Sequence, residues 1–419
     1  MTPFALHGDL IWSETPQKLC LRPDSYAVCD ENGKCAGVFD RLPSRYAGLR
    51  VDDHAGRLVI PGYSDLHLHA SQYRNLGLGM DLELIPWLDT LTFPEEARFA
   101  SLEYADGVYG RFAGELRRGF TTRAAVFATI HVPATLRLME KLEETGLRTL
   151  VGKVNMDRNG PDYLCEAGAA ASLEAAERWL EAAGRFENTA PILTPRFVPS
   201  CTGALLKGLG ALAERCGLGV QSHLDENPDE IRWVRRLHPE YPDYASVYDG
   251  AGLLGPRTLM AHCIYMNEAE QALMKRRGAW VVHCPTSNIN VRSGVAPIRR
   301  YMEAGLNIGL GSDISGGHTM DMAAVVRRVL ESAKLLWRLE GIGPHLTAAE
   351  AFYLASRGGG AYFGRVGAFE SGFDFDAVAV DDRAARDEGD DMPKRFEKLI
   401  YCAGSRDVRA KYVAGRQVY

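Results

Sequence analysis

Short apolar strand patterns alternate with longer helical patterns through the middle of the chain, and this alternation limits the fold more than any other sequence feature. The alanine-rich stretch 171–186 is the clearest of the helical patterns. The predicted strands are 58–65, 121–127, 149–154, 191–197, 219–223, 258–262, 280–284 and 308–313. Near-continuous apolar strands need cover on both faces, so the pattern predicts a parallel sheet in an α/β fold.

The ends of these predicted strands favour a closed barrel over an open, doubly wound sheet. Eight strand–helix units in about 250–300 residues fit a TIM barrel, although the alternation alone fits both folds. The chemically capable residues at the strand ends are Asp65, His67, His69, Arg196, His223, His262, His283 and Asp313. A barrel gathers all its strand ends at one mouth, whereas an open sheet spreads them along an edge. We therefore predict a distorted (β/α)8 barrel over residues 61–365.

The sequence pattern differs at both ends of the chain, where brief apolar runs are interrupted by Gly, Asn, Asp and Pro. Such runs are typical of short strands. Residues 1–60 and 366–419 are predicted to join into one small β-sandwich domain. Within the second part, 375–380 and 399–402 are predicted strands and 408–419 a hairpin. The charged run 381–395 between them is predicted to be an exposed loop without a partner.

Composition and motifs exclude several functions. The net charge of −6 argues against a general nucleic-acid or anionic-membrane binder. No apolar stretch has the ~18 residues that a membrane helix needs, and no signal peptide is visible. The nine scattered cysteines include no CxxC, which favours a reducing cytoplasm over a disulfide framework. The P-loop, GxSxG, HExxH and HxE…PCxxC patterns are all missing.

The residues that carry chemistry begin with the pair His67-Leu68-His69. Residues i and i+2 of a strand point to the same side, so both imidazoles face one space and supply half of a metal site. His223 has Glu226 three residues later, which suits metal binding with proton transfer, although helix capping is an alternative. Asp313 follows an apolar run, where a carboxylate is costly to bury unless it is paired, metal-bound or capping a helix.

Each of these motifs alone is a weak indication of a metal site, but their order along the chain is a specific one. The segments PGYSDLHLHASQY, QSHLDEN, AHC and HCPTSN…GLGSDISGG resemble the amidohydrolase superfamily and, within it, the family of guanine deaminases. The resemblance covers essentially the whole chain, because LIPWLDTLTFPEE, GKVNMD, TPRFVPSC and YPDYASVYD also match that family's segments. It implies metal-dependent hydrolysis of guanine to xanthine and ammonia, a step of purine catabolism or salvage.

The resemblance also implies roles for individual residues. The expected ligands of one metal ion per chain, most often Zn²⁺ with Fe²⁺ or Mn²⁺ as alternatives, are His67, His69, His223 and Asp313. The expected catalytic groups are Glu226 as proton shuttle, with His262 and Asp313 assisting it at the nucleophilic water. The expected purine-reading groups are Gln72, Arg196 and Phe197. A homodimer is expected from the resemblance alone.

Other residues near the strand ends have less definite expectations. A single metal is favoured because the fourth strand ends on Arg196 and not on a carboxylated lysine; Lys153 is expected to line the barrel or the substrate side. Trp87 and Phe93 could stack on the purine or simply pack in the core. His283 is expected to make a structural hydrogen bond, and His318 either lines the pocket or sits on its loop. The long segment 70–120 is expected to cover the mouth.

Two other functions remain alternatives. A related amidohydrolase would deaminate another aminated ring, such as 8-oxoguanine, a pterin or a triazine. The presence of Gln72 and Arg196 favours guanine as the substrate. A catalytically dead scaffold protein would typically have lost metal ligands, whereas this chain keeps all four together with Glu226.

Overall fold

The computed structural model describes all 419 residues, and its elements alternate as expected through the middle of the chain. In chain order the strands are β1 (Phe4–Thr15), β2 (Lys18–Cys29), β3 (Cys35–Phe39), β4 (Arg50–Pro61), β5 (Tyr63–His69), β6 (Thr121–Phe127), β7 (Arg148–Gly152), β8 (Val154–Asn155), β9 (Thr189–Pro191), β10 (Thr194–Pro195), β11 (Val220–Leu224), β12 (Thr258–His262), β13 (Trp280–His283), β14 (Asn307–Leu310), β15 (Ala377–Val380), β16 (Val408–Val413) and β17 (Arg416–Gln417). The helices are α1 (Leu84–Trp87), α2 (Phe93–Ala97), α3 (Leu102–Arg118), α4 (Val132–Glu143), α5 (Ala169–Ala183), α6 (Gly203–Cys216), α7 (Pro228–Leu237), α8 (Tyr244–Gly250), α9 (Glu268–Arg277), α10 (Pro285–Asn290), α11 (Ile298–Ala304), α12 (Met322–Glu340), α13 (Ala348–Tyr353) and α14 (Met392–Cys402).

Eight parallel strands close into the predicted barrel. The ladder runs β5–β6–β7–β9 on one side and β11–β12–β13–β14–β5 on the other. The gap between β9 and β11 is closed by Leu193, whose N–H donates to Gly219 O at 3.0 Å and whose carbonyl accepts from Gln221 N–H at 2.9 Å. Because the ring is closed, the carboxyl ends of all eight strands meet at one mouth.

Apolar packing holds the barrel on both sides of its wall. The larger core lies between the strands and the outer helices and includes buried Trp179, Tyr109 and Phe112. A smaller cluster draws side chains from strands that are not neighbours, among them Leu66 and Leu259. Such side chains can touch only across the barrel interior, so this cluster fills the barrel beneath the mouth.

The predicted strands differ from the observed ones at the start of the barrel. The predicted strand 58–65 is divided: residues 58–61 end β4 of another sheet, and the first barrel strand is β5. Because the apolar run continues across Gly62, the sequence does not indicate that the chain passes from one sheet to the other there. A Cβ at Gly62 would lie only 2.1 Å from Thr122 Cγ2, which explains why glycine occupies the turn.

The two ends of the chain build one seven-stranded sheet in the order β17-β16-β15-β4-β1-β2-β3. β15 pairs antiparallel with β4, so a C-terminal strand continues the N-terminal sheet. Aromatic side chains of both ends pack in its core, as in the edge-to-face contact of Phe4 with Phe375. The small β domain from both termini is therefore present, while its limits at 60/61 and 365/366 stay a prediction.

Two expectations for the C-terminal part are wrong. Residues 399–402, predicted as a strand, end the helix α14, which Asp391 caps by accepting a hydrogen bond from Lys394 N–H. Its buried residues Arg395, Phe396, Leu399 and Ile400 follow a helical spacing that the four-residue apolar run conceals.

The run 381–395 is not simply an exposed loop without partners. Arg395 is buried, donating through Nη1 to Asp9 at 2.6 Å and through Nε to Asp382 at 2.8 Å. The run therefore ties α14 to β1.

A buried ion pair joins the terminal sheet to the barrel. Arg123 of β6 donates to Asp376 through Nε at 2.7 Å and through Nη2 at 2.9 Å, and its Nη2 also lies 2.8 Å from Asp374. Although burial opposes ionisation, Arg123 holds the pKa of Asp376 below its usual value. None of the helices has the length and apolar character that crossing a membrane requires.

Candidate active site

Three imidazoles and one carboxylate converge at the barrel mouth. His67 Nε2 lies 3.2 Å from His69 Nε2, which lies 3.3 Å from His223 Nε2. Asp313 Oδ1 is 3.2 Å from His67 Nε2 and 3.5 Å from His69 Nε2. The structure thus brings together the four residues that the sequence predicts as metal ligands.

The spacing of these atoms fits a metal ion. Tetrahedral coordination with bonds of about 2.0–2.1 Å places neighbouring ligand atoms about 3.3–3.4 Å apart. Neutral imidazole nitrogens and a carboxylate oxygen at these distances can all bind one cation at once. His67 with His69 and Asp313 indeed forms one of the groups able to hold a metal ion.

Neighbouring groups orient these ligands. His223 Nδ1 donates to the carbonyl oxygen of Arg196 at 2.6 Å, which leaves the Nε2 lone pair of His223 facing the cluster. Asp313 Oδ2 accepts a hydrogen bond from the Ser287 hydroxyl. The His262 and Asp313 backbones adopt left-handed φ values of 72° and 48°, which L-residues tolerate only where surrounding structure holds them, often at functional sites.

His262 and Glu226 lie beside the cluster. His262 Nδ1 donates to the Asn288 side-chain oxygen at 2.8 Å, so its Nε2 is an acceptor. That Nε2 lies 3.3 Å from Glu226 Oε2 and 3.8 Å from Asp313 Oδ2 and has no hydrogen-bond partner. These polar atoms lie close enough together to share hydrogen bonds with one water molecule.

Burial sets the protonation of this site. It lowers the pKa of His262 to about 4 and the pKa values of His69 and His223 well below the ordinary histidine value. These rings are therefore neutral, the form that binds metals. Burial, reinforced by Glu230 and Asp313, raises the pKa of Glu226 well above its usual value, which suits a group that accepts and returns a proton.

The three predicted purine-reading residues line the same pocket. They surround it together with His69, His223, Asp313, Glu226 and His262. Gln72 Nε2 donates to Glu96 Oε1 at 2.9 Å and its Oε1 accepts from Ser315 N–H at 3.2 Å, so the amide has one orientation. Arg196 donates to the other oxygen of Glu96.

The segment 70–120 supplies one wall of this pocket. Leu84, Trp87 and Leu88 of this segment face the pocket. Phe93 instead packs under Arg196, with the guanidinium carbon 5.0 Å from the ring centroid, and is not part of the lining. The segment therefore contributes to the pocket wall, while its action as a cover of the mouth stays a prediction.

Three further predicted residues lie away from the pocket lining. Lys153 is fully buried and pairs with Glu166, so it lines the barrel and not the substrate side. His318 lies on its loop, with Nδ1 3.0 Å from Asn290 Nδ2. The structural hydrogen bond expected of His283 is absent at Nδ1, which is buried without a partner; burial lowers the pKa of His283 to about 3.

Sequence reasoning missed three residues that support the site. Ser287 and Asn288 stand in the quoted segment HCPTSN, yet their contacts to Asp313 and His262 cannot be read from spacing. Glu96 stands in TFPEE beside Glu95, and only Glu96 reaches the pocket residues. A carboxylate within an apolar segment was the one available signal.

The comparisons with known proteins agree with this geometry. Residues 58–418 match the Amidohydrolase family. A guanine deaminase from Dictyostelium discoideum is 35% identical, with 98% of this chain and 97% of the relative covered, and that of Homo sapiens is 36% identical, with 86% and 82% covered. A crystal structure of guanine deaminase from C. acetobutylicum with guanine bound is 44% identical over 100% of both chains, with a TM-score of 0.97. The chain therefore belongs to the amidohydrolase family and, within it, to the guanine deaminases.

Proposed function

We propose that this pocket hydrolyses guanine to xanthine and ammonia with one bound metal ion. The observation that carries the proposal is the convergence of His67, His69, His223 and Asp313, the last three of which line one pocket with Glu226, Gln72 and Arg196. Similarity over the full chain to a guanine deaminase with guanine bound supports the same substrate.

The metal is proposed to be Zn²⁺, one ion per chain, held by the three imidazoles and Asp313. Nitrogen and oxygen donors in this number suit a catalytic zinc site, and they also accept Fe²⁺ or Mn²⁺. When bound, the ion supplies a nucleophilic water near neutral pH by lowering its pKa toward ~7. Elemental analysis of the purified protein gives the identity and the stoichiometry.

Glu226 is proposed to move the proton. As the water oxygen adds to C2 of guanine, its proton passes to Glu226 and from there to ring N3. The proton of the new hydroxyl then reaches the exocyclic nitrogen through Asp313 and His262, and the C2–N bond breaks. Ammonia leaves and C2 becomes the carbonyl of xanthine. The 3.3 Å separation of Glu226 Oε2 and His262 Nε2 supports a shared role in these proton transfers.

Arg196, Gln72 and Phe197 are proposed to recognise the purine. Arg196 only donates hydrogen bonds, so it suits the O6 carbonyl. Gln72 keeps one N–H free for the ring edge, because its other N–H donates to Glu96 and its Oε1 accepts from the backbone N–H and the hydroxyl of Ser315. Phe197 and Trp87 provide flat apolar surface against the ring.

Ammonia release from a substrate panel tests this proposal. The panel contains guanine, 8-oxoguanine, isoxanthopterin, cytosine and adenine, assayed with zinc-loaded protein. We expect strong preference for guanine with xanthine as product. Preference for another ring would overturn the substrate and the roles of Arg196 and Gln72 while leaving the metal chemistry; no metal and no activity would favour a scaffold role.

The oligomeric state, the cellular location and the metabolic role of the enzyme are also proposals. A homodimer and a role in guanine catabolism or salvage are proposed from the resemblance to the family, and a cytoplasmic location is proposed from the scattered cysteines. Sedimentation velocity of the purified protein measures the oligomeric state.

A further inference from the structure

We propose that Glu96 is a positioning residue that makes the purine pocket selective for neutral 6-oxo purines, because its carboxylate fixes Gln72 and cancels the charge of Arg196. This inference rests on the function proposed above. Glu96 is 2% exposed and is not among the residues that line the pocket, so it acts through the two that do.

One carboxylate joins two recognition residues from distant parts of the chain. Glu96 Oε1 accepts from Gln72, which follows β5, and Glu96 Oε2 accepts from Arg196, which follows β10. The sequence separations are 24 and 100 residues. Glu96 itself lies on α2, within the segment that supplies one wall of the pocket. The positions of both recognition groups therefore depend on this helix.

The second consequence concerns charge. Arg196 is 3% exposed and permanently cationic, and its guanidinium is flanked by the ring of Phe93 on one face. An unpaired guanidinium here would attract anions, as arginines do in phosphate and carboxylate sites. Paired with Glu96, Arg196 adds no net charge and offers directional N–H groups to a carbonyl oxygen. The pocket then favours neutral guanine over the anionic form of the product xanthine.

Glu96→Gln tests both parts with little change of shape. A glutamine offers one acceptor oxygen where two donors arrive, so either Gln72 or Arg196 loses its partner. Hydrogen bonds to charged groups correspond to roughly a 10-fold or larger effect on binding. We expect the KM for guanine to rise about 10-fold or more, with kcat and metal content nearly unchanged. Glu95→Gln is the matched control, since Glu95 is a buried neighbour that pairs with Arg98 and Tyr104 instead.

Xanthine inhibition gives a readout that a merely structural role would not change. The inhibition constant of xanthine should be lower for Glu96→Gln than for wild type. The difference should be larger at mildly alkaline pH, where xanthine loses a proton. In the double variant Glu96→Gln/Arg196→Gln the charge is removed, so this difference should disappear. The double variant also restores a neutral pair if the single one folds poorly.

The inference is overturned if Glu96→Gln raises the KM no more than Glu95→Gln, or if kcat falls while the KM stays constant. It is also overturned if the pH dependence of xanthine inhibition matches that of wild type. Wild-type protein that releases no ammonia from guanine would instead overturn the proposed function, so the two failures are distinguishable.

Discussion

Replacing Arg123 by methionine tests whether the terminal sheet stabilises the barrel. Arg123 lies on β6 and contacts Asp374 and Asp376 at distances of 2.7 to 2.9 Å. The Asp376 side chain is fully buried and loses its charged partner when the arginine is removed, although the hydrogen bond from Ala414 N–H remains. Breaking a buried pair by removing one partner costs about 3–5 kcal/mol.

This loss of unfolding free energy corresponds to a decrease in the melting temperature. An unfolding entropy of roughly 2.1 cal/mol/K per residue gives about 0.9 kcal/mol/K for this chain, so Arg123→Met should lower the Tm by about 3–6 °C. Thermal unfolding followed by circular dichroism measures this shift. Arg178→Met is the control, because Arg178 pairs with Glu174 on an exposed helix surface, and its Tm should equal that of wild type within error.

Activity separates the structural role of Arg123 from a catalytic one. Arg123 stands near the start of β6, at the opposite end of the barrel from the mouth, so kcat and KM at low temperature should stay unchanged. If Arg123→Met and Arg178→Met unfold at the same temperature, the buried pair adds no stability and the reasoning fails.

Three further predictions concern the proton shuttle, the metal and a buried lysine. Glu226→Gln should abolish ammonia release while one equivalent of metal remains bound; normal turnover would refute the shuttle role. Removing the metal with a chelator should abolish activity and lower the Tm, since a ligand of the folded state stabilises it, and added Zn²⁺ should restore both. Burial, together with Arg117, lowers the pKa of Lys411, so the unfolded chain binds a proton that the folded chain lacks and stability rises with pH above neutrality. Lys411→Met should flatten that rise in urea unfolding measured from neutral to mildly alkaline pH, and parallel slopes would contradict it.

The barrel and its mouth were predictable because their signals are local and repeated. Each barrel strand is a short apolar run, and residues such as His223 and His262 directly end their strands. Once the strands close into a barrel, their ends must meet, so the grouping of the predicted ligands follows from topology. The resemblance to a family then supplied roles that spacing leaves open.

The remaining features depend on contacts between distant segments. The stretch 399–402 reads as a strand in isolation, and it is helical because Asp391 caps a turn that begins earlier. Glu96 and Glu95 are indistinguishable in sequence, and only the fold directs one of them to Arg196. The burial of Arg395 likewise depends on Asp9, which lies at the other end of the chain.

That pairing of the two chain ends has a consequence for synthesis. Asp9 and Arg395 are 386 residues apart in sequence. At a translation rate of about 5–20 residues per second, Asp9 of β1 is therefore synthesised roughly 20–80 s before Arg395. During this time β4 has an unpaired edge, because its neighbour β15 has not been made. Exposed strand edges template pairing between chains. Between translation of β4 and of β15 the nascent chain therefore exposes an edge that favours aggregation unless chaperones or other segments cover it.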